Sequence, residues 1–427
     1  MPTLDSIRFN HDTSSAGGDA INIRRDVTAA GFSTEPEWRR GVSVEPGDSV
    51  AAYAGAALRS NRVTIQVTLT RTGNDPSRFF IRARDRDEQA APEGCAAIFL
   101  FFFRGAVESA LGNINILGTV PETAIDFGTS SSATLLVEPT GRPAGSEVGV
   151  RSGVTRWEWE WRSDAGATWQ PLESTSHTIY SLLDIPQGPW TQMPYDASNI
   201  SLPWARALSH ATGWAHLSGD VATAARRVTE RANGLEHDLF RYNCGPMPRA
   251  PIYCDGAPPN NPYDAFALTQ FLDRLERRSE GLGPLLNCSD CASIVTTMAN
   301  LVGCNLVEGQ LMDPRVSDSS RTFAFPLNEL WLIGRDDWSD ACGVSNFRYH
   351  EIAWSGTVGP DGLVYDACAA VDGDRDPRTR PHERLLAEGL RFGNAGELQY
   401  RDRLSPPGAP GGVPQPRPEG AGRRTIY

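Results

Sequence analysis

Hydrophobic and polar positions divide the chain into a β-patterned first part and a mixed second part. "RVTIQVTLTRT" (62–72) sets Val63, Ile65, Val67 and Leu69 on one face and polar residues on the other, the period of two of a half-buried strand. "RFFIRAR" (78–84) and the apolar run "CAAIFLFFF" (95–103) predict further strands. "TRWEWEWRS" (155–163) carries Trp157, Trp159 and Trp161 on one face and Glu158 and Glu160 on the other. Turn-rich stretches such as "TGNDPS" (72–77) and "PTGRPAGSE" (139–147) separate these runs. Short strands with frequent turns predict β-sandwich modules, one over 1–110 and a second β-rich one over 111–190. The tryptophan stripe fits core or inter-domain packing better than a ligand platform, because aromatics dominate burial.

The period changes near Pro186–Pro189. "SLPWARALSHATGWAHL", "DVATAARRVTERANGL" (220–235) and "AFALTQFLDRLERR" (265–278) have helical spacing, the second with Asp220 as N-cap and Gly234 at its end. "NCGPMPRAPIYCDGAPPNNPYD" (243–264) reads as a loop, which Cys244 and Cys254 flank as a lid or a bridge. "NCSDCASIVTTMANLVG" predicts a helix capped by Asn287 or Ser289, buried through Ala292, Ile294, Val295, Met298 and Leu301, and ended by Gly303. Strands resume at "FRYHEIAW" and "LVYDAC". The proline- and glycine-rich stretch 405–427 predicts a disordered tail.

Composition narrows the function classes. The chain has 427 residues, 40% hydrophobic and 22% charged, as for a globular protein of two or three domains. A net charge of −12 argues against nucleic-acid or anionic-membrane partners. No apolar run is long enough to span a bilayer, and the first residues show no basic-then-apolar leader. Eight cysteines are too sparse for a disulfide scaffold, so reduced thiols and a cytoplasmic location are expected. All forty basic residues are arginine, a usage that a GC-rich genome explains.

The chemistry centres on Cys288. A helix N-terminus stabilises an anion, which is how a nucleophilic thiol is mounted. A nucleophile needs a base, and the base an orienting group. "YHEIAWSGTVGPDGLVYDAC" (349–368) offers both: two strands joined by the turn "TVGPDGL" set His350 and Asp366 side by side.

Cys288-Ser-Asp290-Cys-Ala292, with Gly303 fifteen positions after Cys288, is similar to the C-x-D-x-A helix of bacterial members of the transglutaminase-like superfamily. His350-Glu-Ile-Ala-Trp354 and Val364-Tyr365-Asp366 resemble that family's following strands. The resemblance spans about 205–375. It implies a papain-like α+β domain over 191–404, preceded by the all-β modules, with Cys288, His350 and Asp366 as catalytic residues. Cys288 is selected over Cys291, which lacks an aspartate two places on. The sequence departs from the family at Ala367, where proline is usual, and at Glu351 and Ile352, where alanine and tryptophan are. No upstream oxyanion side chain is assignable.

The implied activity is acyl transfer on amide bonds of a peptide or protein substrate through a thioacyl intermediate. Hydrolysis is favoured, with transamidation, an inactive binding protein, or a zinc-binding structural domain as alternatives. No cofactor and no metal are expected. Zinc through Cys288-x-x-Cys291 lacks a second close pair among Cys304, Cys342, His350 and Cys368. "DGDRDPRTRPHE" (372–383) imitates a calcium loop but places Pro377 where glycine is needed. Oligomeric state is left open.

Overall fold

A computed structural model describes residues 1–11, 20–24, 36–42, 50–55, 63–73, 75–86, 116–141, 149–192, 202–244, 252–254, 265–313, 324–338, 344–406, 412–417 and 422–427. The chain splits into two compact units, Met1–Ile185 with Pro203–Gly219, and Pro186–Leu202 with Asp220–Tyr427. Among the described residues strands predominate, in several sheets with few helices. None of these helices is long and apolar enough to cross a membrane.

The first unit contains β1 (Thr3–Arg8), β2 (Trp38–Arg39), β3 (Val50–Ala54), β4 (Ile65–Thr70), β5 (Arg78–Asp85), β6 (Val120–Asp126), β7 (Ser132–Val137), β8 (Arg151–Arg162), β9 (Gln170–Leu182) and helix α1 (Ala205–Trp214). One sheet has the order β2-β1-β4-β7, the other β3-β9-β8-β5-β6. Only the β3–β9 pair is parallel among these. The alternation read in β4 is the burial pattern found, with Ile65, Val67 and Leu69 inside and the polar residues between them half-exposed. Trp157 and Trp159 are buried and join both sheets' apolar residues in one core with Leu4, Ile65, Phe79 and Ile179. On the outer face Arg82 and Arg84 each reach Glu160 at 2.7 Å.

The boundary expected at residue 110 is absent. β4 pairs β7 with Ile65 opposite Val137, and β5 pairs both β6 and β8. Strands from either side of 110 therefore complete each other's ladders and share one core, so neither half could bury its apolar face alone. The boundary near 190 is also crossed: the α1 segment returns to this unit, with Val150 N–H bonded to the Ser218 carbonyl at 2.9 Å and Leu217 N–H to that of Val150 at 2.6 Å. The apolar run 95–103 lies outside the described residues.

The second unit begins with α2 (Val221–Asn233), capped by Asp220, then β10 (Arg241–Tyr242), β11 (Ala265–Phe266), α3 (Leu268–Leu275), β12 (Leu285–Leu286) and α4 (Cys288–Leu301). β13 (Val307–Met312), β14 (Phe325–Pro326), β15 (Trp331–Leu332), β16 (Asn346–Phe347), β17 (Tyr349–Ser355), β18 (Leu363–Asp372) and β19 (Arg384–Arg391) follow, then α5 (Tyr400–Leu404), β20 (Val413–Pro416) and β21 (Thr425–Ile426). The main sheet has the order β15-β18-β17-β13-β20, with β19 on β18. α4 packs against β13, β17 and β18, and every one of its residues is buried. Gly303, at φ +99°, ends the helix segment in the left-handed region that glycine alone enters without strain.

The tail expected to be disordered from 405 instead contributes two strands. β20 lies antiparallel on β13, with Met312 opposite Val413, and β21 pairs in parallel with β11. As an edge strand β20 tolerates Pro414 and Pro416, which cannot donate. Arg417 and Arg424 are buried. Pairing of Ala265 and Phe266 with the tail also explains why α3 begins at Leu268 rather than 265.

Candidate active site

The start of α4 is built by a reciprocal cap. Asn287 Oδ1 accepts the N–H groups of Ser289 at 2.9 Å and Asp290 at 3.2 Å, and Asp290 Oδ2 accepts the Asn287 N–H at 2.9 Å. These bonds occupy amide groups that a helix N-terminus otherwise leaves without acceptors. Asp290 also accepts the N–H groups of Ile252 (3.0 Å), Tyr253 (2.9 Å) and Cys254 (3.0 Å), so one buried carboxylate fixes both the helix start and segment 252–254. Burial raises its pKa and these N–H groups pull the other way, burial prevailing.

Cys288 is the first residue of α4 and is 4% exposed. His350 lies on β17 and Asp366 on β18, both buried, with His350 Nε2 2.8 Å from Asp366 Oδ2. His350 Nδ1 is buried and makes no hydrogen bond. Cys288 adds to Asp366 in favouring the charged form of the ring. Phe347 stacks on the imidazole, ring centres 4.7 Å apart and planes 10° apart. Burial alone would lower the His350 pKa; the Asp366 charge and hydrogen bond, with Cys288, outweigh it and raise the value to about 10. The expected trio is thus brought together, with Asp366 on one ring nitrogen and the other turned from it.

Two groups of residues at this site escaped the sequence reading. Tyr400, on α5, donates its hydroxyl to Asp366 Oδ2 at 2.7 Å, while Asp366 Oδ1 accepts the N–H groups of Cys368 (2.8 Å) and Ala369 (3.2 Å). The second group is a buried ionic cluster. Arg424 reaches Glu351 Oε1 at 2.7 Å and Oε2 at 2.9 Å, Glu308 Oε2 at 2.8 Å and Ser293 at 3.1 Å. Arg417 lies 3.3 Å from Glu351 and 3.6 Å from Glu308. Glu351 also accepts from Ser289, the residue after Cys288, at 2.7 Å. Burial would raise the Glu351 pKa, but the Arg424 charge and hydrogen bond, aided by Arg417, hold it down at about 2. Glu308 is raised, because burial and the Glu351 charge exceed the pull of the arginines. A tail arginine far along a low-complexity stretch gives no local signal of such a role.

The other thiols are set differently. Cys291 is hydrogen-bonded to Cys368; that bond lowers its pKa but burial and the charges of Asp290 and Asp366 prevail and raise it. Burial pushes Cys304 up to about 12 and Cys254 and Cys368 well above the ordinary thiol range. Cys254 is free while Cys244 is disulfide-bonded, so the two do not bridge each other, and the expectation of uniformly reduced thiols fails at Cys244. Cys342 lies outside the described residues. Among the described residues no three His, Cys, Asp or Glu side chains are placed to hold a metal ion. In the loop that imitates a calcium site, Asp372 is spent on the N–H groups of Asp374 and Glu383 and on His382 Nδ1 at 2.6 Å, and Asp374 on the Asp376 N–H.

No protein-family model matches the chain, and no curated protein does. Among solved structures it is similar to red sea bream transglutaminase, at 13% identity and a TM-score of 0.33, over 71% of this chain. The chain spans about half the length of that protein, 48%. So distant a likeness leaves the chemistry to be read from the site's own geometry.

Proposed function

We propose that this protein is a cysteine-dependent acyl-transfer enzyme that hydrolyses amide bonds of a peptide or protein substrate. The observation that carries the reading is the buried imidazole between a helix-start thiol and a carboxylate. Cys288 Sγ attacks the amide carbonyl carbon while His350 Nδ1 holds the thiol proton. The tetrahedral intermediate collapses as His350 passes that proton to the leaving amine, leaving a thioacyl group on Cys288. Water, deprotonated by His350, then releases the acid and the free thiol. Asp366 holds the ring orientation and stabilises the imidazolium, in keeping with the raised His350 pKa. In this reading the Cys288 N–H, in the first turn of α4 where amides lack an intrahelical acceptor, donates to the oxyanion.

Intact-mass analysis with a peptide-amide library tests this. Wild-type protein and Cys291→Ala should show a transient acyl adduct and release acid, and Cys288→Ala neither. Added primary amine should change little if water is the acceptor, and should capture the acyl group if transamidation is the true reaction. The chain has no lysine, so self-crosslinking through lysine cannot confuse the result. An adduct that persists in Cys288→Ala would refute the assignment.

A further inference from the structure

Asp366 is bonded at both oxygens. Oδ1 takes two backbone N–H groups, and Oδ2 takes both His350 Nε2 at 2.8 Å and the Tyr400 hydroxyl at 2.7 Å. Tyr400 comes from α5, 34 residues beyond Asp366, and is fully buried beside Phe392, ring centres 6.3 Å apart. The titratable groups facing this carboxylate among the described residues are Cys291 from α4, Cys368 from β18, His350 from β17 and Tyr400 itself, with Cys288 from α4 acting on His350, Cys368 and Tyr400.

We propose that Tyr400 is a positioning residue of the Cys288–His350–Asp366 site: by donating to the same oxygen that holds the imidazole, it sets how strongly Asp366 grips His350. This rests on the reading of the trio given above. A carboxylate oxygen that accepts two donors shares its charge between them. The phenol therefore weakens the bond to His350 while fixing the direction from which the ring must approach. Burial and the Asp366 charge push the Tyr400 pKa well above its usual range, so the phenol stays a donor across working pH. The consequence is a histidine held in place yet able to release its proton to the leaving amine, where an undivided carboxylate would retain it more tightly.

The test is proton NMR of the bond between His350 and Asp366, whose low-field resonance is assigned by its loss in His350→Gln. In Tyr400→Phe, which removes only the hydroxyl, the resonance should move further downfield as the remaining bond strengthens. Biosynthetic replacement of Tyr400 by 3-fluorotyrosine, a stronger donor that keeps the bond, should move it upfield and needs no cavity in the fold. Phe392→Leu, in the same pocket, should lower stability and leave the resonance in place. An unmoved resonance in both position-400 proteins would overturn the proposal. A resonance missing from the wild-type protein would instead refute the His350–Asp366 pairing on which the site reading stands.

Discussion

Replacing Arg424 by methionine should destabilise the second unit more than any ordinary surface change. In the folded chain Arg424 spans Ser293, Glu308 and both oxygens of Glu351 at 2.7–3.1 Å. Without it, Glu351 keeps Ser289 at 2.7 Å, Arg417 at 3.3 Å and Gln310 at 3.4 Å, and Glu308 keeps Ser293 at 3.0 Å and Arg417 at 3.6 Å. Two fully buried carboxylates would then share one more distant cation. Breaking a buried ion pair from one side costs about 3–5 kcal/mol. At about 2–4 °C per kcal/mol for a domain of this size, the midpoint should fall by about 6–20 °C.

The pH dependence gives an independent check on the same substitution. Glu351 is held at about 2 against the usual 4.5, so it contributes stability that is present above 4.5 and lost as pH falls toward 2. Arg424→Met removes the largest source of that depression, so the variant's Glu351 takes up its proton at higher pH than the wild type's, and the gap should be widest at neutral pH and narrow on acidification toward 2. Adding Glu351→Gln should recover part of the loss, since one stranded charge goes with it. Calorimetry at neutral and acidic pH decides the matter. A loss under about 1 kcal/mol, the range of an exposed pair, or a gap that stays constant with pH, would refute the reasoning.

Three further outcomes are expected. Asp290→Asn keeps one acceptor oxygen where four N–H groups converge, and should cost at least about 2–3 kcal/mol of unfolding free energy by denaturant titration while loosening segment 252–254 in hydrogen exchange. Trp159→Ala, in the core of the first unit, should cost about 3–5 kcal/mol, checked by the first unit's unfolding transition. Gly309→Ala places a Cβ 2.6 Å from Trp354 Nε1, and the overpacking should cost about 1–3 kcal/mol, seen in the second unit's thermal midpoint.

Local signals carried much of this structure. The reading of α4 needed only Asn287 and Gly303, because cap chemistry and a left-handed stop act within a few residues, while the return bond from Asp290 was not read. The alternation in β4 and β8 was equally legible, since one buried face imposes period two. The hairpin of β17 and β18, with Ala353 opposite Tyr365, followed from its turn. What escaped depended on long-range burial. Arg417 and Arg424 sit in a stretch whose composition resembles a linker, and only the carboxylates of Glu308 and Glu351 give them a reason to be inside. Tyr400 has no feature in its own neighbourhood that points to Asp366. The division at 110 was misplaced because a strand's period says which face is buried and not which strand completes its ladder.

The most direct test of the Cys288–His350–Asp366 assignment is the rate at which each thiol reacts with iodoacetamide, resolved by peptide mapping of the native protein. In the proposed assignment His350 takes the Cys288 proton, whereas burial pushes the thiols of Cys254, Cys304 and Cys368 up and, with nearby carboxylates, that of Cys291 as well. At neutral pH Cys288 should be alkylated first among these five, and His350→Gln should slow it to the rate of the others while Asp366→Asn gives an intermediate rate. Uniformly slow labelling of all five, or a Cys288 rate indifferent to His350→Gln, would contradict the assignment.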